Sequence, residues 1–232
     1  MESSFSSLSL ADAHEGSSRT PPGFRFFDLP VELRMTIYEL VLLVNQIVDL
    51  KPSNFRCIAP RLGLFLTCHR MHEEAYPVFY GRNTIRLFPI DQRFFSTKKV
   101  LLTRLSPRYR SVITTLDLRL GQGWGSPPKC QAVTERLGLA DMSNLRLLKI
   151  FVECDPSDPI FNGFRIDQDF YTTFARRLVK ELVKNLPSLQ EVQFDGWPSV
   201  KKDAPLMAGL LHEVKAADRR ISWGPHRMWG QA

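Results

Sequence analysis

The sequence lacks the features that mark membrane and secreted proteins. No apolar run approaches the roughly 18 residues that cross a bilayer, and the longest strongly apolar stretch is only Leu40 to Val44. The N-terminus has no basic start followed by an apolar segment, as a secretory signal would have. The cysteines are few and far apart: Cys57, Cys68, Cys130 and Cys154. We therefore expect an intracellular protein, cytoplasmic or nuclear, with free thiols and no membrane segment.

Motifs of the common catalytic and metal sites are also missing. There is no Cys-x-x-Cys pair, no P-loop and no Gly-x-Ser-x-Gly nucleophile motif. His69, His72 and Glu73 can share a helix face, but Tyr76 stands where a zinc-protease pattern needs its second histidine. We predict no catalytic, cofactor-binding or metal-binding residues, and hence a protein that is not an enzyme. An enzyme of unknown class stays a third hypothesis, without a sequence feature in its favour.

The excess of positive charge lies in one stretch of the chain. The net charge is +7, and the segment from Arg82 to Arg119 holds nine basic residues against two acidic ones. Such a stretch can contact an acidic partner or phosphate groups, although a solvated surface is the commoner explanation. No nucleic-acid-binding motif accompanies the charge, so we do not expect nucleic acid as a partner.

The front of the chain predicts a leader and one amphipathic helix. Residues 1–23 are rich in serine and poor in large apolar residues, which predicts a disordered leader. Pro30 suits the first position of a helix, and Glu32 then lies near the positive end of the helix dipole. Arg34 and Glu39 lie off an apolar stripe at helical spacing. The stripe consists of Leu29, Leu33, Ile37, Leu40 or Val41, and Val44.

The sequence of residues 46–90 predicts a segment that contains two short strands, a loop and a helix. A short strand is expected at 46–50, followed by a loop marked by Pro52 and Pro60. A helix is expected from Leu62 to about Tyr80, with Pro77 ending or kinking its last turn. Asn83 to Phe88 then reads as a strand.

From residue 89 onward, helical patterns alternate with β-prone runs. Helices are predicted at 92–105, 132–140, 170–185 and 204–217, and strands at 113–120, 145–152, 189–194 and 220–223. Leu118, Ile150 and Val192 take equivalent places in three of these strands, at spacings of 32 and 42 residues. Irregular spacing of this kind fits degenerate strand–helix repeats, whose strands pair in parallel. The predicted fold class is α/β, with a helical module over 24–88 and a leucine-rich-repeat-like region over 89–232.

Three blocks of the front half carry a family resemblance. The segment from Leu29 to Val41 reads Leu-Pro-x-Glu-Leu-Arg-x-x-Ile-Tyr-Glu-x-Val. The segment from Leu64 to Ala75 reads Leu-x-Leu-Thr-Cys-His-Arg-Met-x-x-Glu-Ala, and Phe79 to Thr84 reads Phe-Tyr-Gly-x-Asn-Thr. Together these blocks resemble the F-box-like domains found in many fungal proteins, over about Phe24 to Phe88.

The resemblance implies the substrate-recruiting subunit of a Skp1–cullin–F-box ubiquitin ligase. In that family the F-box helices bind the adaptor Skp1, and the repeats hold a target protein. Carried over by motif, Leu29, Pro30, Leu33 and Ile37 are candidates for the Skp1-facing surface or for the module core. Judged by spacing alone, an apolar stripe on a helix is core by default.

Two further binding hypotheses come from the residues themselves. Trp124 lies in a glycine-rich segment after a predicted strand, where it is either a binding anchor or packs back on the sheet edge. The alternative function is a scaffold or binding module of the same fold without a ubiquitin role, which contacts an acidic partner through residues 82–119.

Overall fold

The computed structural model describes residues 24–90, 100–121, 131–156, 158–161, 169–227 and 229. The predicted leader 1–23, Trp124, Cys130 and residues 92–99 of a predicted helix lie outside the described residues. Within the described part, seven α-helices accompany one five-stranded sheet. Cys57, Cys68 and Cys154 are free thiols. No helix there is both long and apolar enough to cross a bilayer.

The front of the chain forms three helices: α1 (Val31–Leu42), α2 (Pro52–Leu62) and α3 (His69–Arg82). The loop predicted around Pro52 and Pro60 is wrong, because α2 occupies this segment. Pro52 stands at the first helical position, where its missing N–H costs nothing, and Pro60 falls in the last turn. Asn54 anchors the helix, since its amide donates to the Ile47 carbonyl at 2.7 Å and accepts the Asp49 N–H at 3.1 Å.

The helix predicted from Leu62 to about Tyr80 is divided in two. A 3-10 turn at Gly63–Leu66 precedes α3, and Cys68 caps α3 by accepting the Met71 N–H on its sulfur at 3.5 Å. Pro77 does not end α3, which continues to Arg82.

The sheet consists of β1 (Ile85–Arg86), β2 (Thr115–Leu120), β3 (Leu147–Val152), β4 (Glu191–Gly196) and β5 (Arg220–Trp223). Its strand order is that of the chain, and all four pairings are parallel. The predicted α/β class with a parallel sheet is therefore confirmed. The strand predicted at 46–50 is reduced to a single bridge, in which Val48 pairs with Ile85.

The repeat alignment deduced from the sequence is shifted at its third strand. Leu118 pairs with Ile150 as predicted, but Ile150 pairs with Phe194, and Val192 pairs with Leu148. A shift of two residues keeps every side chain on its own face of the sheet, so alternation of apolar residues cannot detect it.

The remaining helices are α4 (Leu101–Arg104), α5 (Pro107–Ser111), α6 (Phe170–Asn185) and α7 (Pro205–Ala216). The bounds predicted for α6 are correct, and those for α7 differ by one residue at each end. The helix predicted at 132–140 is wrong. Two 3-10 turns replace it, Glu135–Leu137 and Leu139–Asp141, because Gly138 between them takes a left-handed conformation with φ +63°.

One apolar core connects the front helices with the sheet. It runs from Tyr38 and Leu42 of α1, through Leu118 and Ile150 on one face of the sheet, to Val214 of α7. The opposite face of the sheet, which we call the open face, carries Asp117, Lys149 and Gln193 in one cross-strand row, and Arg119, Phe151 and Asp195 in the next.

Candidate functional site

Helix α1 turns its predicted apolar stripe toward solvent. Its buried residues are Arg34, Tyr38 and Leu42. On the other side, Leu33 is 51% exposed and Leu40 is 77% exposed. The default expectation that this stripe is core is therefore wrong for both leucines. We call Leu33, Ile37 and Leu40, which lie four and three residues apart and so share one helix face, the α1 stripe.

A polar anchor adds to the apolar packing of Tyr38 and Leu42 on the inner side of α1. Arg34 donates from Nε and Nη2 to the two carboxylate oxygens of Glu74 in α3, at 2.8 and 2.9 Å. Tyr38 donates its hydroxyl to the same carboxylate at 3.2 Å, and Arg34 also donates to the Leu29 carbonyl. A bidentate arginine–carboxylate pair fixes both distance and orientation. Arg34 therefore sets how α1 lies on α3.

The electrostatics of this anchor keep the carboxylate charged. The hydrogen bond from Arg34 holds the pKa of Glu74 below its ordinary value, against the opposing effect of burial. Burial and the Glu74 charge raise the pKa of Tyr38 to about 12, so the phenol stays a hydrogen-bond donor.

Acid is expected to remove the stabilisation that Glu74 provides. Because its pKa is lowered by folding, that stabilisation is complete above the ordinary glutamate pKa of about 4.3 and is lost as the pH falls through the lowered value. We expect Glu74→Gln to be less stable than the parent at about pH 7, and the difference to shrink progressively as the pH falls below the ordinary glutamate pKa of about 4.3. Urea midpoints of both proteins across this range measure the difference, with the exposed Glu135→Gln as control. A difference that persists in acid would contradict the assignment.

The C-terminal end of α1 is held by two further side chains. The buried Asn83 amide donates to the Leu42 carbonyl at 3.0 Å and to the Phe79 carbonyl at 2.9 Å. Its oxygen accepts the Val44 N–H at 2.9 Å. Arg61 of α2 donates to the carbonyls of Val41 and Leu43, at 2.7 and 3.1 Å. Helix α1 is thus fixed at both ends while its stripe stays free.

Exposed apolar side chains are concentrated in the front part of the chain, and five of them lie in α1 or directly after it. Eight of the eleven large apolar residues that are exposed in the described part fall within residues 24–66. They are Phe24, Val31, Leu33, Leu40, Val41, Leu43, Phe55 and Leu66. Such a concentration is a mark of an interaction surface, whereas single exposed apolar residues are normal.

The predicted site residues differ in accessibility. Pro30 and Leu33 are exposed, whereas Leu29 and Ile37 are half-buried. Sequence reasoning missed Phe55, because its segment was predicted as a loop rather than as part of α2. Trp124 lies outside the described residues.

In the described part of the basic stretch, most of the basic side chains pair with carboxylates of the same chain. Of its six described basic side chains, Arg104 is exposed without an ion pair in the described part, and the other five each pair with a carboxylate. The pairs are Arg82–Glu39, Arg86–Asp117, Arg108–Glu73, Arg110–Asp141 and Arg119–Glu153. Four of these carboxylates come from outside the stretch, so a local charge count overstates the surface charge.

The histidines of α3 have structural contacts. The His72 ring contacts the Tyr109 hydroxyl through Nε2 at 2.9 Å and the Phe65 carbonyl through Nδ1 at 3.3 Å. His69 lies 3.7 Å from Glu73. Within the described ranges, no three histidine, cysteine or acidic side chains are placed to hold a metal ion.

The open face of the sheet carries a second accessible group. Trp197, directly after β4, is 44% exposed. Its ring stands edge-to-face on Phe151 with centroids 5.1 Å apart, and the His226 ring contacts both. Arg119 covers the Phe151 ring at 4.8 Å. Trp197 is therefore an aromatic side chain held in place with part of its surface free.

Comparisons with protein-family models, with curated proteins and with solved structures give no match for this chain. Its function therefore has to be argued from the residues and their geometry.

Proposed function

We propose that this protein is a non-catalytic interaction adaptor that docks on a partner protein through the α1 stripe. The observation that carries the proposal is the orientation of α1. Its apolar residues Leu33 and Leu40 face solvent, while an arginine, a tyrosine and an asparagine fasten its other side to α3. A protein that needed this stripe for its own stability would bury it.

Docking of such a stripe has a sound energetic basis. A helix that presents aliphatic side chains at these spacings can lie in an apolar groove of another protein. Full burial of each Leu or Ile side chain contributes about 1.5–3 kcal/mol. Because α1 is fixed at both ends, little conformational entropy is lost when it binds.

The resemblance to F-box-like domains makes a Skp1-like adaptor the proposed partner, and a ubiquitin ligase the proposed complex. The motif residues divide into two groups that support this assignment. Leu33 and Ile37 belong to the α1 stripe, whereas Arg34, Tyr38 and Asn83 make the internal contacts. The motif thus combines a binding surface with the side chains that hold it in place.

The alternative of a scaffold that binds an acidic partner through residues 82–119 has less support. Five of the six described basic side chains in that stretch already have a carboxylate partner within the chain.

A pull-down with purified Skp1 tests the proposal. We expect the full chain to retain Skp1, and Leu33→Asp or Ile37→Asp to reduce the affinity by about 30-fold or more, because a buried interface would then contain an unpaired carboxylate. Ile160→Asp is the matched control, since Ile160 is as exposed as Leu40, at 77%, but lies far along the chain.

Two outcomes would contradict the proposal. If the parent protein fails to retain Skp1, the ubiquitin-ligase assignment is lost. If the two α1 variants bind as well as the parent and as the Ile160 control, the α1 stripe is not the docking surface. Circular dichroism of each variant checks that the fold is retained.

A further inference from the structure

We infer that the open face of the sheet binds a short extended segment of a partner protein that brings one carboxylate to Lys149 and one apolar side chain to Trp197. This inference rests on the proposed function, because it names the chemistry of the target that such an adaptor would hold. It concerns a different surface from the α1 stripe.

Every charged carboxylate of the open face already has a partner inside the protein. Asp117 pairs with Arg86, and Glu153 with Arg119 at 2.7 Å. Glu191 pairs with Arg220 at 2.8 Å and accepts the Ser222 hydroxyl. Asp195 accepts the backbone N–H groups of Gly196 and His226, at 2.9 and 3.1 Å. The acidic side chains of this face are therefore satisfied.

Lys149 differs from these groups. It lies in the middle of the face, between Asp117 on β2 and Gln193 on β4, and it is half-buried. Among the described residues it forms no ion pair, because Arg86 holds the carboxylate beside it. The Asp117 charge also acts on Lys149, but Arg86 and Arg119 share it, so the half-buried ammonium still gains from a carboxylate that a ligand supplies.

Trp197 supplies the second contact. Phe151 and His226 hold its ring, so the side chain loses little conformational entropy when a ligand binds. Aromatic side chains that are held in this way are common centres of binding energy. Trp197 and Lys149 lie on the same face, with Phe151 between them.

Spacing and charge together favour an extended peptide segment. Trp197 lies four positions after Gln193, the β4 residue that pairs with Lys149, and four positions along a strand span roughly 13 Å. The acidic and apolar residues of the ligand should therefore be about two to four residues apart. A nucleic acid would carry a row of phosphates past the carboxylates of Glu191 and Asp195, which like charge disfavours. A ligand with a single carboxylate can reach Lys149 without carrying a row of negative charges past these side chains.

Selection from a phage-displayed library of random dodecapeptides, panned on the full chain, tests the inference. We expect enrichment of peptides with an aspartate or glutamate about two to four residues from a large apolar residue. Trp197→Ala should weaken the selected peptides by about 30-fold, and Lys149→Glu by about 10-fold. Phe170→Ala, at 41% exposure, and Lys184→Glu on α6 are the matched controls and should leave binding unchanged.

Charge exchange gives a result that misfolding cannot imitate. Peptides in which lysine replaces the acidic residue should bind Lys149→Glu more tightly than they bind the parent. The inference is overturned if no peptide is enriched, if the enriched peptides lack an acidic residue, or if they bind Trp197→Ala unchanged. It is also overturned if a single-stranded oligonucleotide displaces them at low concentration. The assay contains no Skp1, so its failure and the failure of α1 docking are separate results.

Discussion

Asp117→Ala is expected to lower the free energy of unfolding by about 3–5 kcal/mol, which for a chain of this size is a large part of its stability. The Asp117 carboxylate and the Arg86 guanidinium pair across β1 and β2, and their side chains are only 5% and 6% exposed. Burial lowers the pKa of Arg86 and raises the pKa of Asp117, because desolvation disfavours the charged form of each group. Removing the carboxylate leaves a buried guanidinium without a counter-charge.

The double variant Arg86→Leu/Asp117→Leu distinguishes two contributions to the free energy of unfolding. One is the cost of leaving a buried charge unpaired, and the other is the net contribution of the ion pair itself. Because two apolar side chains of similar size avoid the cost of burying charge, we expect the double variant to be within about 1 kcal/mol of the parent, or more stable. Urea denaturation of the two proteins measures the difference. Arg220→Ala removes an ion pair whose arginine is 71% exposed and should cost less than about 1 kcal/mol. A single variant as stable as this control would show that the buried pair has no structural role.

Asn83→Ala is the second large effect, with an expected loss of about 3 kcal/mol. The Asn83 side chain is buried and makes three hydrogen bonds, which join the end of α1 to the end of α3. Alanine leaves the Leu42 and Phe79 carbonyls and the Val44 N–H without these partners, at about 1 kcal/mol each. The effect is therefore the sum of three buried polar groups rather than of one.

Chemical denaturation checks this value, and amide hydrogen exchange locates it. In the Asn83→Ala variant we expect faster exchange in α1 than in β3, because the three hydrogen bonds of the Asn83 side chain join the ends of α1 and α3. Asn185→Ala is the control, since its amide makes one exposed hydrogen bond to the Glu181 carbonyl. Equal stability of the two asparagine variants would contradict the prediction.

Much of the second half of the chain could be predicted from sequence because its patterns are local. Helix α6 has one continuous amphipathic face, and its predicted bounds, 170–185, are those observed. Strands β2, β3 and β4 were each found within two residues at their ends. At 132–140 the sequence pattern predicted a helix that does not form, because Gly138 takes a left-handed backbone conformation there.

The candidate site was harder to predict, because the partners of its residues are remote in the chain. The sequence places Arg34 off the apolar stripe and gives no sign of its partner. Its carboxylate partner, Glu74, is 40 residues away, and only folding brings the two together. The same applies to α2, whose prolines predicted a loop, but which is stabilised by Arg61 contacts to the end of α1.

The amino-acid sequence by itself determined the parallel α/β architecture, the order of its strands, and helices α6 and α7. Helical and strand periodicities are properties of neighbouring residues, and alternating elements leave few other ways to pair strands. Only the tertiary structure decided which face of α1 is buried and which strand positions of β3 and β4 pair. Both depend on contacts between distant residues, and in both cases the competing arrangements have the same local apolar pattern.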